Sequence, residues 1–203
     1  MIKMPTPWGV SHYVHFHGAD KLVVRVGTAE HGGIGVDASI AMPPALTELA
    51  MVDSDGRRWF EEDVSWAAAV IALPDRFPAD WVESAQDTLC HSFPDAYMAH
   101  FNVVLTAAES RAIEEREFHA KTQDNFIVTA AWGSAFWNVG KGNVYVCGWR
   151  RRDEATAGFL VPEAEYQVRP SRLILDEYPR WEPDRSLPFV KPEREASAEW
   201  VPA

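Results

Sequence analysis

The chain has 203 residues, is 47% hydrophobic and carries a net charge of −11. One α+β domain with a sizeable core is expected at that length. No run approaches the ~18 apolar residues of a membrane span, and Met1-Ile2-Lys3-Met4-Pro5-Thr6-Pro7 contains no apolar signal core, so a soluble, cytoplasmic protein without membrane attachment is expected.

Two cysteines, Cys90 and Cys147, are too few for a disulfide scaffold and read as reduced structural thiols. The acids are unevenly placed. Residues 51–100 carry 10 acidic and 3 basic groups, whereas residues 101–150 carry 5 of each. A surface of that sign repels phosphate backbones, so direct nucleic-acid binding is not expected. Arg150-Arg151-Arg152 is the single run of three bases, and Asp153-Glu154 offsets it at once.

The first forty residues read as strands. Residues 13–17 and 22–26 flank the turn Gly18-Ala19-Asp20 as a hairpin, and Ile34-Gly35-Val36 supplies a third strand. Pro43-Pro44 opens a short helical turn through Leu49. Asp53-Ser54-Asp55-Gly56 is a turn leading into Arg57-Arg58-Trp59-Phe60.

The middle is helical. Asp63 is placed to cap a helix over residues 64–73 that is apolar nearly all round and is expected at the centre of the core, with Pro74 stopping it. Asp80 is placed to cap a second helix with Val82, Ala85, Leu89 and Phe93 on one stripe, and a third starts near Pro94. Thr106-Ala107-Ala108-Glu109 has the pattern of a capping box at the head of a charged helix running through His119.

Strands return in residues 126–132 and 143–149 around a Gly140-Lys141-Gly142 turn, and residues 158–161 and 166–168 extend the meander. The expected architecture is therefore an N-terminal β-hairpin or small sheet, central helices and a C-terminal antiparallel β-meander. Residues 1–177 form one domain in this reading, and residues 178–203, with five prolines among charges, form an extended tail.

Several motifs carry candidate chemistry. His15-x-His17 places two imidazoles on one strand face, where zinc would need further ligands such as His31 and one of Glu30, Glu61 or Asp63; the plainer reading is a solvated edge strand with Val14 and Phe16 facing inward. Asp53, Asp55, Gly56 and Glu62 match four positions of a calcium loop, but Met51 stands at its first position, and an Asp-Gly turn accounts for them. His31-Gly32-Gly33-Ile34-Gly35 is similar to the oxyanion-binding glycine loop of some esterases, yet no Gly-x-Ser-x-Gly elbow accompanies it; close packing beside a strand explains the glycines. The phosphate-binding glycine patterns of nucleotide folds are absent. No cofactor or metal is expected.

Glu61-Glu62-Asp63 sits between Trp59 and Trp66. A carboxylate there could have a raised pKa and work as an acid or base with His31, because burial disfavours its charge. Acids in a first helical turn, offsetting the helix dipole, are the structural alternative.

Thr6-Pro7-Trp8-Gly9, Thr28-Ala29-Glu30-His31-Gly32-Gly33, Trp59-Phe60-Glu61-Glu62-Asp63 with Trp66, Phe93-Pro94-Asp95-Ala96-Tyr97, Glu109-Ser110-Arg111 and Phe159-Leu160-Val161-Pro162 with Tyr166 occur in that order. Together these segments resemble a domain-of-unknown-function family carried on proteobacterial plasmids and phages, over the chain to about Val168. The resemblance implies a mobile-element, cytoplasmic setting and no particular reaction.

Two functions follow as expectations. The first is a counter-defence protein that binds and inhibits a host nucleic-acid-handling complex, of restriction or CRISPR type, through the acidic surface of Asp75, Asp80, Glu83, Asp87 and Asp95. The second is a small enzyme that uses His31 with Glu61, Glu62 or Asp63 as an acid-base or metal-assisted hydrolytic site.

Overall fold

Val23-Val24-Arg25-Val26 is rich in β-branched residues, and in a strand successive side chains point to opposite faces. A computed structural model describes residues 3–133 and 139–183. The chain divides into two compact units with the boundary between Glu117 and Phe118.

In the first unit, β1 (Pro5–Thr6) and β2 (Gly9–Val10) form a small antiparallel hairpin. The main sheet contains β3 (Tyr13–Phe16), β4 (Val23–Gly27), β5 (Gly32–Val36), β6 (Met51–Val52) and β7 (Arg58–Glu61), in the order β3-β4-β5-β7-β6 with every neighbour antiparallel. Four helices accompany it: α1 (Pro44–Thr47), α2 (Trp66–Ala72), α3 (Ala79–Ser92) and α4 (Pro94–Phe101), and a charged fifth, α5 (Arg111–Lys121), runs across the unit boundary.

Side chains pack on both sheet faces. Val24, Val26 and Trp59 point to one side, where Met4, Trp8, Val14 and Phe16 pack on them. Val23, Ile34, Val36 and Phe60 point to the other and meet α2, whose Ala67 to Val70 are fully buried, together with Ala85 and Leu89 of α3. The expected central helix is thus in place, and its apolar girth reflects contact on nearly every side.

The helix starts differ from those the sequence suggests. α2 begins at Trp66 after Ser65, without a side-chain cap, so Asp63 lies ahead of the helix and does not cap it. α3 begins directly after Pro78, and Asp80 stands inside its first turn, where an acid still complements the helix dipole. Glu109 does close on Thr106, accepting from its backbone N–H at 2.9 Å and its hydroxyl at 2.7 Å, but the pair shapes a turn and α5 starts at Arg111.

In the second unit, β8 (Phe126–Trp132), β9 (Asn143–Arg150) and β10 (Ala155–Pro162) form the expected antiparallel meander, order β10-β9-β8, with a bulge at residue 129. Residues 163–167 are a short helix, α6 (Glu163–Gln167), rather than the strand expected around Tyr166. Pro162 ends the ladder because it has no N–H to donate, and the acids Glu163 and Glu165 suit a first helical turn.

The chain then returns along both edges of this sheet. Val128 N–H donates to Leu173 O at 3.0 Å and Leu175 N–H to Phe126 O at 2.8 Å; on the opposite edge Leu160 N–H donates to Pro179 O at 3.1 Å and Trp181 N–H to Gly158 O at 3.0 Å. Residues 178–183, which the sequence reading assigned to an extended tail, therefore include an edge partner of β10, and residues 184–203 lie outside the described residues. Mixed helices and antiparallel sheets make the protein α+β. Among the described residues no helix is long and apolar enough to cross a membrane.

Candidate functional site

The helix-facing side of the main sheet is only partly roofed. α2 lies on β5 and β7, and α3 packs on α2, so the β3–β4 end is covered only by Arg76, Phe77 and the start of α3 among the described residues. Cross-strand register places His15, Arg25, Ile34 and Phe60 in one row on that side. Phe60 and Ile34 are buried under the helices, whereas Arg25 and His15 reach beyond them.

A cleft of about 410 Å³ opens at this boundary, lined by Arg25, Ile34, Glu62, Trp66, Asp80 and Trp81. Trp66 and Trp81 meet edge to face, with ring centres 6.0 Å apart. The Arg25 guanidinium lies over the Trp81 ring at 5.0 Å, a cation–π contact. The cleft thus has two indole walls, one cation and two carboxylates.

Of the sequence-predicted acid-base group, His31 and Glu61 come together and the others do not. His31 Nδ1 stands 3.7 Å from Glu61 Oε1, a distance for ion pairing when the imidazole is protonated and too long for a hydrogen bond. The backbone at His31 is pinned by Thr28, whose N–H and hydroxyl both donate to His31 O at 2.7 and 2.8 Å. Glu61 Oε2 accepts from Asp63 N–H at 2.9 Å, while its Oε1 is enclosed without a hydrogen-bond partner. Glu62 turns into the cleft and Asp63 faces solvent. These acids end a strand and form a turn, so the helix-dipole explanation does not hold for them: the first turn of α2 contains no acid. His31 and Glu61 do not line the cleft.

His15 is exposed and His17 is half-buried against Phe77 and Trp81, with ring centres at 4.6 and 6.2 Å. Val14 and Phe16 face the opposite, apolar side, as strand alternation requires. Among the described residues no group of three or more His, Cys, Asp or Glu is placed to hold a metal ion.

The calcium-loop residues form a turn that satisfies itself. Asp53 accepts from the N–H groups of Asp55 at 3.0 Å and Arg57 at 2.9 Å and from the Trp59 indole N–H at 2.8 Å. Burial alone would raise its pKa, but these donors hold it below the ordinary value. The glycines after His31 serve packing. A Cβ on Gly33 would strike the Phe60 carbonyl and the Trp8 ring, and one on Gly35 would lie 2.7 Å from the Trp59 ring.

All five acids assigned to a partner surface are exposed. Asp80, Glu83 and Asp87 lie three and four residues apart on the outer side of α3, opposite buried Ala85 and Leu89. Asp87 is 3.5 Å from the His91 imidazole. Asp95 is engaged elsewhere: Arg116 binds it through two hydrogen bonds of 2.8 and 2.6 Å and holds its pKa below the ordinary carboxylate value. Asp75 follows Pro74 in a 3₁₀ turn, before the α3 stripe.

Arg25 and Trp81 were not singled out from the sequence as site residues. The available signal was the charge itself: Arg25 is the one charged residue within Val23-Val24-Arg25-Val26, at a position whose strand neighbour Val23 is fully buried on the same face.

The fold and cleft define an α+β protein whose sheet is wider than its helical roof and which opens an aromatic-walled, charged hollow at the uncovered end. Residues 2–123 match the family described as Domain of unknown function (DUF7007), and the chain belongs to that family. The match includes the whole main sheet and α1 to α5, whereas Phe159-Leu160-Val161-Pro162 and Tyr166 lie beyond it. No curated protein and no solved structure matches the chain.

Proposed function

We propose that the protein binds a macromolecular partner with a basic surface, using the Asp80, Glu83 and Asp87 stripe of α3 together with the adjoining Trp66 and Trp81 cleft. The observation that carries this reading is the junction of the two: Asp80 belongs both to the acidic stripe and to the cleft lining. Among the described residues no ion pair holds Asp80 or Glu83, so their charge remains available to a partner. Clustered charge speeds encounter and sets register, and an aromatic pocket beside it supplies the desolvated anchor that interfaces concentrate their energy in. A Lys or Arg side chain fits the chemistry of the cleft, beside the indoles and next to the carboxylates of Glu62 and Asp80. The partner class is a host complex that handles nucleic acid, of restriction or CRISPR type, met by a cytoplasmic, mobile-element protein that blocks it. That part rests on the sequence resemblance and on the acidic charge.

The test is affinity capture from bacteria that carry restriction and CRISPR systems, comparing the natural protein with an Asp80→Lys, Glu83→Lys, Asp87→Lys variant. The natural protein retains a nuclease-complex subunit and the variant loses it, with association slowing as salt rises. Equal capture by both proteins would overturn the reading. The proximity of His31 and Glu61 favours a second, enzymatic reading; His31→Gln abolishing a hydrolytic activity would support it.

A further inference from the structure

Beyond Arg25 and Trp81 a second hollow, about 450 Å³, opens on the same side of the sheet, lined among others by Tyr13, His15, His17, Arg25 and Arg76. It has a different character from the cleft, because none of its lining residues is acidic. The register pairs His15 directly with Arg25 across β3 and β4, which places imidazole and guanidinium side by side on the helix-facing side. His17, just past the end of β3, joins them, its ring 5.0 Å from that of His15.

These groups lack protein partners of opposite charge. Arg25 contacts the Trp81 ring, and among the described residues no carboxylate pairs with it. His17 Nε2 is enclosed without a hydrogen-bond partner, a condition that polar atoms in folded proteins rarely keep unless something else supplies the bond. Arg76 is already committed: its guanidinium grips Asp20 at 2.8 and 2.7 Å and donates to His17 O at 3.3 Å, which fixes the strand end without filling the hollow. A divalent metal is disfavoured here, since the Arg25 cation stands beside the imidazoles that would have to bind it.

We propose that this hollow binds a phosphate group, held by the Arg25 fork and by imidazole N–H groups of His15 and His17, with Trp81 lining it. The geometry favours phosphate over carboxylate. Three donor groups gather from β3, the residue that follows it and β4, and a tetrahedral group with several terminal oxygens can serve all three, whereas one Arg fork alone saturates a planar carboxylate. Without a ligand, burial, then the neighbouring His15 and Arg25, lower the His17 pKa, and only the Arg76 contact opposes them. A bound dianion reverses that balance by favouring the charged imidazole. The hollow shares Arg25 and Trp81 with the cleft but contains none of the α3 acids, so loss of capture by the Asp80, Glu83 and Asp87 variant and loss of phosphate binding are read out separately.

The test is histidine side-chain NMR on the full chain near neutral pH, titrated with inorganic phosphate, phenyl phosphate and benzoate. Both phosphates shift the His15 and His17 imidazole signals saturably and raise the His17 pKa, and Arg25→Gln weakens phosphate binding by about tenfold or more. Arg25 is exposed, so the thermal midpoint of the variant stays near that of the natural protein; His15→Asn, also at an exposed position, gives a second weakened variant. Tighter phenyl phosphate assigns the site to organic phosphate esters, and equal affinities assign it to the free ion. Benzoate binding as tightly as phenyl phosphate, shifts that persist undiminished in Arg25→Gln, or no shift at millimolar phosphate would overturn the proposal.

Discussion

The two units protect their sheets in different ways. In Met1–Glu117 the protection is of faces: Trp8 and Trp59 cover one side across Gly33 and Gly35, and helices cover the other. In the second unit the protection is of edges: residues 173–175 run along β8 and residues 179–181 along β10. Glycines there admit the returning chain, Gly148 making room for Leu175 and Gly158 for the Trp181 carbonyl. A face covered by a few helices leaves hollows wherever the helices end, and Arg25, His15, His17, Glu62 and Trp81 gather at that place. A three-stranded sheet with partnered edges is instead shielded from pairing with foreign strands. The family match, residues 2–123, falls mainly on the first unit.

Core truncations give the largest effects and test whether each unit depends on its own centre. Phe60→Ala and Phe159→Ala, at residues 0% and 1% exposed, each cost about 3–5 kcal/mol in chemical denaturation. Hydrogen exchange then localises the loss to the amides of the main sheet in the first variant and of the meander in the second. An unchanged midpoint for either variant breaks the account of that core.

Smaller effects come from the glycines and sharpen the contrast between faces and edges. Gly33→Ala and Gly158→Ala each force a Cβ against backbone and ring atoms and cost about 1–3 kcal/mol. Their signatures differ: the first changes the near-ultraviolet signal of Trp8 and Trp59, and the second raises exchange at the Trp181 amide while leaving those indoles alone.

The smallest effect is electrostatic. The hydrogen bonds from the Arg76 side chain lower the Asp20 pKa from 3.8 to about 2. A depressed carboxylate pKa adds stability that is fully present above the unfolded value and is lost as pH falls through the folded value. The Asp20 contribution is therefore complete at neutral pH and disappears between about 4 and 2. Carboxyl NMR of Asp20 titrating near 2, and flattening of that acid limb in Asp20→Asn, check it. A midpoint near 4 would show that the pair does not persist in solution.

Much of the architecture was legible along the chain. The β-branched runs either side of Gly18-Ala19-Asp20 give the hairpin, the apolar girth of residues 66–72 gives the buried helix, and Gly140 and Gly142 mark the turn region before β9. The helix starts were less legible. Asp63 and Asp80 are good capping residue types, but Ser65 and Pro78 precede the helices because the chain must first leave β7 and the 3₁₀ turn at residues 74–76. The strand expected at Tyr166 became helix once Pro162 had ended the ladder.

The candidate site was legible in part. Local pattern indicated that His15 and His17 share a face and that Glu61, Glu62 and Asp63 are adjacent, because a period of two and simple succession follow from the covalent chain. Pattern also placed Asp80, Glu83 and Asp87 on a solvent-facing stripe. Which of these groups meet depended on cross-strand register and on where the helical roof stops. Register paired His15 with Arg25, brought His31 toward Glu61 and turned Glu62 into the cleft, while Arg116, 21 residues away, neutralised Asp95. Such encounters join residues far apart in sequence, and the energy that selects them is the packing of whole elements rather than any preference of the residues themselves.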